Sequence, residues 1–295
     1  MGDVFRRFVL YPLEALLLGL FFIVFRLLPL KVASALGGFI GRTVGPGLGI
    51  SRRAERNITC AFPDMPPADI KGVVADMWEN LGRTAAEYPN LGRFRFAGPD
   101  NVGEIIGADI ITRLRDDNKA AILVGGHIAN WEVMPAALNA HGLTVDRVYR
   151  MANNPLVEHL YRLGRGSIEG GQIPKGVDGA RLLVKAVRNG RHIGMLVDQK
   201  MNDGIPVPFF GRDAMTAPAA AELAIKYDIP LVVVRIERIK GVQFRITVLP
   251  PLDPPATGDR HRDAAKIMAQ VNGLLESWIR ERPGQWLWLH NRWPE

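Results

Sequence analysis

The sequence predicts an α/β fold, a mixed sheet covered by helices, with an apolar helix ahead of it at the amino terminus. Three observations carry this reading. From about residue 101 onward, short apolar runs alternate with stretches of helical periodicity. The run from Phe8 to Leu30 is almost wholly apolar, broken by Glu14 and Arg26. Over 295 residues the chain is 47% hydrophobic and 23% charged, enough apolar material for a sizeable core and too little charge for a disordered chain. There is no repeat and no low-complexity linker. The expected organisation is therefore an anchor over residues 1–30 and one domain over 31–295.

The uncharged centre of the apolar run, Ala15 to Phe25, spans about 16 Å as a helix, roughly half a bilayer core. The longer stretch crosses a bilayer if Arg26 snorkels and Glu14 sits near an interface. Arg6 and Arg7 precede it, as in a signal peptide, but no small-residue cleavage site follows. The expectation is an uncleaved anchor, either one span or a half-inserted helix. Basic residues on both sides leave its orientation open.

Residues 31–56 are dense in Gly and Arg, which fits close helix packing or an irregular loop, with Arg52, Arg53 and Arg56 suited to lipid headgroups or to a solvated face. A helix is expected from Ala68 to Tyr88, with Ile70, Val73, Val74, Met77, Trp78 and Leu81 at helical spacing. Beyond it, Ile105–Leu114, Trp131–Ala140, Asn154–Leu163, Val177–Val187, Ala217–Tyr227 and His261–Arg282 read as helices. Ala120–Val124, Thr144–Tyr149, His192–Val197, Pro230–Ile236 and Phe244–Leu249 read as strands.

The balance is basic, 37 Lys+Arg against 30 Asp+Glu, so an anionic partner is expected. Anionic lipid and a phosphorylated small molecule fit. Nucleic acid fits poorly, because the basic residues are dispersed and no stacking motif stands out. Cys60 is the one cysteine, which excludes an internal disulfide and a thiolate metal cluster. The six His are scattered, with no His-Glu-x-x-His, so no metal site is expected.

Three polar clusters follow three of the strand candidates, where α/β sites gather. The first is Gly125-Gly126-His127-Ile128-Ala129-Asn130-Trp131-Glu132. A turn between His127 and Glu132 brings the carboxylate to one imidazole nitrogen, leaving the other free to take a proton. The same spacing also fits a helix cap. No Ser or Cys occupies the turn, so a nucleophile elbow is absent and the base would activate the substrate itself. The second cluster is Tyr149-Arg150 with Asn153-Asn154-Pro155, where Arg150 suits a phosphate or carboxylate. The third is Asp198-Gln199, where Asp198 fits a sugar hydroxyl, a pair with Arg150, or an Asx-turn. The loop Asn202–Ala214, with Phe209-Phe210, fits the wall of an acyl groove, a membrane contact or core packing. The aromatic tail Gln285–Trp293 is expected to pack on the domain, with His290 and Arg292 as further candidates for the site.

Taken in order and spacing, Gly-Gly-His127-Ile-Ala-Asn-Trp-Glu132, Tyr149-Arg150-x-x-Asn-Asn-Pro-Leu, Asp198-Gln199 with Val-Pro-Phe-Phe-Gly, and Gln285-Trp-Leu-Trp-Leu-His-Asn-Arg-Trp293 resemble the lauroyl/myristoyl (late) acyltransferases of lipid A biosynthesis in Gram-negative bacteria. The resemblance covers nearly the whole chain. It implies a glycerolipid-acyltransferase-like α/β domain on the cytoplasmic face of the inner membrane. The implied reaction takes a fatty acyl group from an acyl carrier protein thioester to a hydroxyl on an acyl chain of a Kdo-bearing lipid A precursor, without a cofactor. It implies His127 as base, Glu132 as its partner, and Arg150 and Asp198 in substrate binding or site integrity. One departure is Glu169-Gly170-Gly171, where the family resemblance leads one to expect a basic or apolar stretch. From the residues alone, an acyltransferase with a lysophospholipid, glycerol-phosphate or glycolipid acceptor fits as well, as does a non-catalytic protein that binds anionic lipid.

Overall fold

The computed structural model describes residues 2–253, 255 and 257–293. Gly2–Phe5 (α1) runs through a π-helical stretch, Arg6–Leu10, into Tyr11–Leu27 (α2). Leu30–Val44 (α3), Ser51–Ala61 (α4) and Pro67–Glu87 (α5) follow, so the Gly/Arg-rich stretch is mostly helix. Its glycines form a seam: a Cβ at Gly37 would lie 2.4 Å from the Ala86 Cβ, and one at Gly82 would lie 2.2 Å from the Gly37 carbonyl oxygen. Small residues at that crossing let α3 and α5 touch backbone to backbone.

The remaining chain alternates Gly103–Ile106 (β1), Ala108–Asp116 (α6), Ile122–Gly125 (β2), Met134–Asn139 (α7), Val145–Tyr149 (β3), Pro155–Arg165 (α8), Gln172–Pro174 (β4), Val177–Arg188 (α9) and His192–Leu196 (β5). A hairpin of Ile205–Phe209 (β6) and Arg212–Thr216 (β7) comes next. Ala219–Tyr227 (α10), Leu231–Lys240 (β8), Gln243–Val248 (β9) and Arg260–Glu281 (α11) complete the series. Seven strands form one sheet in the order β1-β9-β8-β2-β5-β3-β4. All neighbours are parallel except β8 and β9, so the sheet is mixed, as expected. All four residues of β2 are buried, as suits a central parallel strand covered on both faces.

Two local expectations change. The helix expected from Ile105 begins at Ala108, because Gly103–Ile106 is recruited as an edge strand beside β9. The expected loop at Asn202–Ala214 contains the β6–β7 hairpin instead, with Pro206 and Pro208 on its exposed side and Val207 and Phe209 inward. Prolines suit such a two-stranded ribbon because its outer positions need no ladder donor. Phe209 and Phe210 pack in the core against Trp286, Trp288 and Trp293, so of the three readings of this segment the structure takes core packing.

The stretch Arg6–Leu27 is long and apolar enough to cross a bilayer. It nevertheless rests against the domain along one side. Phe22 meets Tyr88 and Tyr161, with ring centroids 5.6 and 6.3 Å away. Glu14 accepts a 2.9 Å hydrogen bond from Asn154, and Arg26 donates to Asn90 at 3.3 Å. The two charges that interrupt the apolar run are thus met by protein groups. The opposite face, with Leu13, Leu16, Leu17, Leu20 and Ile23, is exposed. So are Val32, Leu36, Phe39, Ile40 and Val44 of α3.

Candidate functional site

Strands β2, β5 and β3 are neighbours, so the three polar clusters that follow them lie side by side. In the parallel pairing of β2 with β5, Gly125 sits opposite Leu196. Two residues further along, His127 meets Asp198. The Asp198 carboxylate is 2% exposed and accepts three hydrogen bonds. They come from His127 Nδ1 at 2.7 Å, the His127 backbone N–H at 2.6 Å and Trp286 Nε1 at 2.7 Å. Burial alone pushes this carboxyl up, but the His127 imidazole and these donors outweigh burial and hold it well below the usual carboxylate range. An ionised Asp198 fixes the Nδ1–H tautomer of His127, so Nε2 carries a lone pair. Gly126 makes the approach possible, since a Cβ there would lie 3.0 Å from Asp198 Oδ2.

Glu132 does not take the place expected of it. It lies in a 3₁₀ turn, Trp131–Val133, capped by the Asn130 side chain, which accepts from the Glu132 N–H. Ala129 ahead of it has φ of +52°, and this left-handed residue turns the chain away from His127. The Glu132 carboxylate is held instead by Arg165 of α8, which donates from Nε at 3.0 Å and from Nη2 at 2.6 Å. Arg165 also lies over the rings of Tyr88 and Tyr149. The partner at the His127 Nδ1 nitrogen is therefore the carboxylate 71 residues away, rather than the one in the next turn.

His127, with a side chain 14% exposed, opens on a cavity of about 280 Å³. One part of its wall is apolar: Trp131, Met134, Pro135, Val148, Met195 and Leu196. Another is basic: Arg147, Arg150, Arg165 and Lys175, faced by the single acid Glu132. Arg150 lines this cavity from an exposed position. Arg147 is buried, which lowers its pKa, and its Nη2 donates to the carbonyls of Ile168 and Gly170. The Gly170 carbonyl belongs to the Glu169-Gly170-Gly171 segment that departs from the expected motif. There the glycines are needed, since a Cβ at Gly170 would lie 2.2 Å from the Val145 carbonyl oxygen and its φ is +112°. Asp198 and Arg150 are not paired with each other in any hydrogen bond or salt bridge among the described residues. Nor do three His, Cys, Asp or Glu gather anywhere among them in a way that would hold a metal ion.

The aromatic tail contributes more than packing. Its backbone pairs with the His127 loop: Ala129 N donates to Gln285 O and Leu287 N to His127 O. Trp286 thereby reaches Asp198, a contact that sequence reasoning missed although the tail's aromatics were noted. His290 enters the cavity, its ring centroid 5.4 Å from that of His127. Arg292 does not; it is fully buried, bonded to Met215 O, Thr216 and Asn272 beneath Phe209. Gln199 lies between the two imidazoles, its Nε2 3.0 Å from His127 Nε2 and 2.8 Å from His290 Nε2.

Burial pushes His290 down to about 4. Because its folded pKa is depressed, the unfolded chain takes up the proton first. The stability this neutral imidazole contributes is present above about 6.5 and is lost as pH falls toward 4, on the order of 1–3 kcal/mol. Urea unfolding at pH 7 and pH 4.5 should show a smaller acid loss for His290→Gln than for wild type. Equal losses in the two proteins would remove His290 as a source.

The chain matches the family model described as bacterial lipid A biosynthesis acyltransferase over residues 4–295. It is similar to the lipid A biosynthesis lauroyltransferase of Escherichia coli (strain K12), 24% identical with 84% of this chain and 83% of that protein covered. It is 24% identical to the lipid A biosynthesis palmitoleoyltransferase of the same organism, over 90% of this chain and 86% of the relative. A lipid A biosynthesis acyltransferase of Haemophilus influenzae is 23% identical over 92% and 85% of the two chains.

Proposed function

The chain belongs to the bacterial lipid A biosynthesis acyltransferase family, and from that premise we propose that it transfers a fatty acyl group from an acyl carrier protein thioester to a hydroxyl on an acyl chain of a Kdo-bearing lipid A precursor. The observation that carries the mechanism is the His127–Asp198 pair at the mouth of a half-apolar, half-basic cavity. The acceptor hydroxyl gives its proton to His127 Nε2 as its oxygen attacks the thioester carbonyl. The carbonyl electron pair moves onto oxygen. When it returns, the C–S bond breaks, and the leaving thiolate takes the proton from His127. The products are an ester and a free thiol. No Ser or Cys lines the cavity, which favours direct transfer over an acyl-enzyme.

In this reading Asp198 fixes the tautomer and steadies the imidazolium, the role first expected of Glu132. Glu132 keeps a part in the site by holding Arg165 on the cavity wall. Arg150 and the other basic residues face the anionic groups of the acceptor, while the apolar wall suits an acyl chain. The outward faces of α2 and α3 support attachment to the inner membrane, with the domain on the cytoplasmic side where the thioester donor is found. Asn154 caps α8 and also bonds Glu14 of α2, which ties the apolar helix to the strand end bearing Arg150.

The test is an incubation of the purified full chain with acyl carrier protein thioester and, separately, a Kdo-lipid A precursor, glycerol phosphate and a lysophospholipid. Mass spectrometry should find one added acyl group on the lipid A precursor. Acylation of glycerol phosphate or lysophospholipid alone would overturn the proposed acceptor.

A further inference from the structure

Gln199 holds two imidazoles with one nitrogen, and Asp198 decides which way its amide points. The ionised Asp198 requires the Nδ1–H form of His127, so His127 Nε2 is an acceptor and only the NH₂ end of the Gln199 amide satisfies it. The second N–H then goes to His290 Nε2 at 2.8 Å. His290, kept neutral by burial, remains an acceptor and latches the amide in that sense. Thus the lone pair that must take the substrate proton is occupied, in the free protein, by an N–H of Gln199.

We propose that Gln199 is a catalytic residue: its N–H, displaced from His127 by the incoming hydroxyl, donates to the oxyanion of the tetrahedral intermediate. This rests on the acyl-transfer reading above. When the acceptor oxygen binds at His127 Nε2, the Gln199 amide stays tethered to His290 by its other N–H. The freed N–H is left about 3 Å from the imidazole nitrogen, within reach of an oxygen on the carbon under attack. Charge balances through the step: the hydroxyl proton sits on His127, the new C–O bond has formed, and the carbonyl oxygen carries the negative charge that the N–H meets. On the cavity wall, Arg165 is taken by Glu132 and Arg147 Nη2 by two backbone carbonyls, while Arg147 Nε and Nη1 are buried without a hydrogen-bond partner among the described residues.

Steady-state kinetics with acyl carrier protein thioester and the lipid acceptor test this. For Gln199→Ala, kcat should fall about 10²-fold while KM stays within about threefold, at an unchanged melting temperature. For Gln199→Glu, a carboxylate between the two imidazoles favours their protonated forms, so the acid limb of the kcat/KM profile should move to higher pH. Wild-type or faster turnover in Gln199→Ala would overturn the assignment, leaving the amide as a plug that substrate displaces. Should that variant not fold, wild-type kcat in Gln199→Met, which has no N–H to donate, overturns it equally. His127→Ala in the same assay separates the two ideas. If it remains active, the general-base reading itself fails; if it is inactive while Gln199→Ala is fully active, only the oxyanion assignment fails.

Discussion

Replacing Asp198 with Asn will lower kcat by about 10³–10⁴-fold with little change in KM, on the precedent of carboxylates that orient a catalytic imidazole. The carboxylate accepts from three donors, the His127 backbone N–H, His127 Nδ1–H and Trp286 Nε1–H. An Asn amide offers one oxygen and turns its NH₂ toward a donor. If that NH₂ faces the ring, the imidazole adopts the Nε2–H tautomer and loses the lone pair that takes the substrate proton in the proposed mechanism. Glu132→Gln is the matched control. It weakens the hold on Arg165 and should raise KM more than it lowers kcat, by about tenfold in kcat/KM. The opposite ranking, with Glu132→Gln the severe variant in kcat, would restore Glu132 as the orienting carboxylate. The pH dependence has a definite sign as well. Asp198 is depressed, so its contribution to stability is present above the usual carboxylate range near pH 4 and is lost only as pH falls through its lower folded value.

Much of this site could be read in the sequence because the strands that carry it are buried on both faces. Ile122–Gly125 and His192–Leu196 are apolar runs ending in polar residues, and that change of composition marks a strand end wherever the sheet places it. Which ends are neighbours is another matter. Nothing in an apolar run encodes that β5 lies between β2 and β3, and only that order brings Asp198 to His127. Reasoning along the chain favours the near carboxylate, and Glu132 was near. It was turned away by a left-handed Ala129 and an Asn130 cap, both local backbone events without a period. The short strands Gly103–Ile106 and Gln172–Pro174 were missed for a related reason: each exists because a longer neighbour offers it a ladder. Gln199 was seen as part of a motif, but its bridging of two imidazoles depends on a tail that returns from 91 residues further on.

Truncating Glu87 to Ala will destabilise the protein by about 3–5 kcal/mol, because it strands a buried guanidinium. In the sequence Glu87 reads as one more acidic residue at a helix end. In the structure it is 0% exposed, and its carboxylate accepts from Arg238 Nη1 at 2.5 Å and Nη2 at 2.9 Å, from Ser34 Oγ at 2.6 Å and from Asn130 Nδ2 at 2.7 Å. Arg238 continues the network through Asn80, whose Nδ2 donates to the Ala129 carbonyl at 2.9 Å. This network lies under the loop between His127 and Glu132 and holds its two least ordinary residues, Ala129 and Asn130. Denaturant unfolding measures the loss. If the charge left behind is the cause, Glu87→Leu combined with Arg238→Met will recover much of the stability, since an apolar pair removes both ions together. Turnover will not recover with it, because the double variant still leaves Asn130 without its acceptor and the His127 loop without its support. Recovery of stability and kcat together would mean that the network stabilises the fold without positioning the loop.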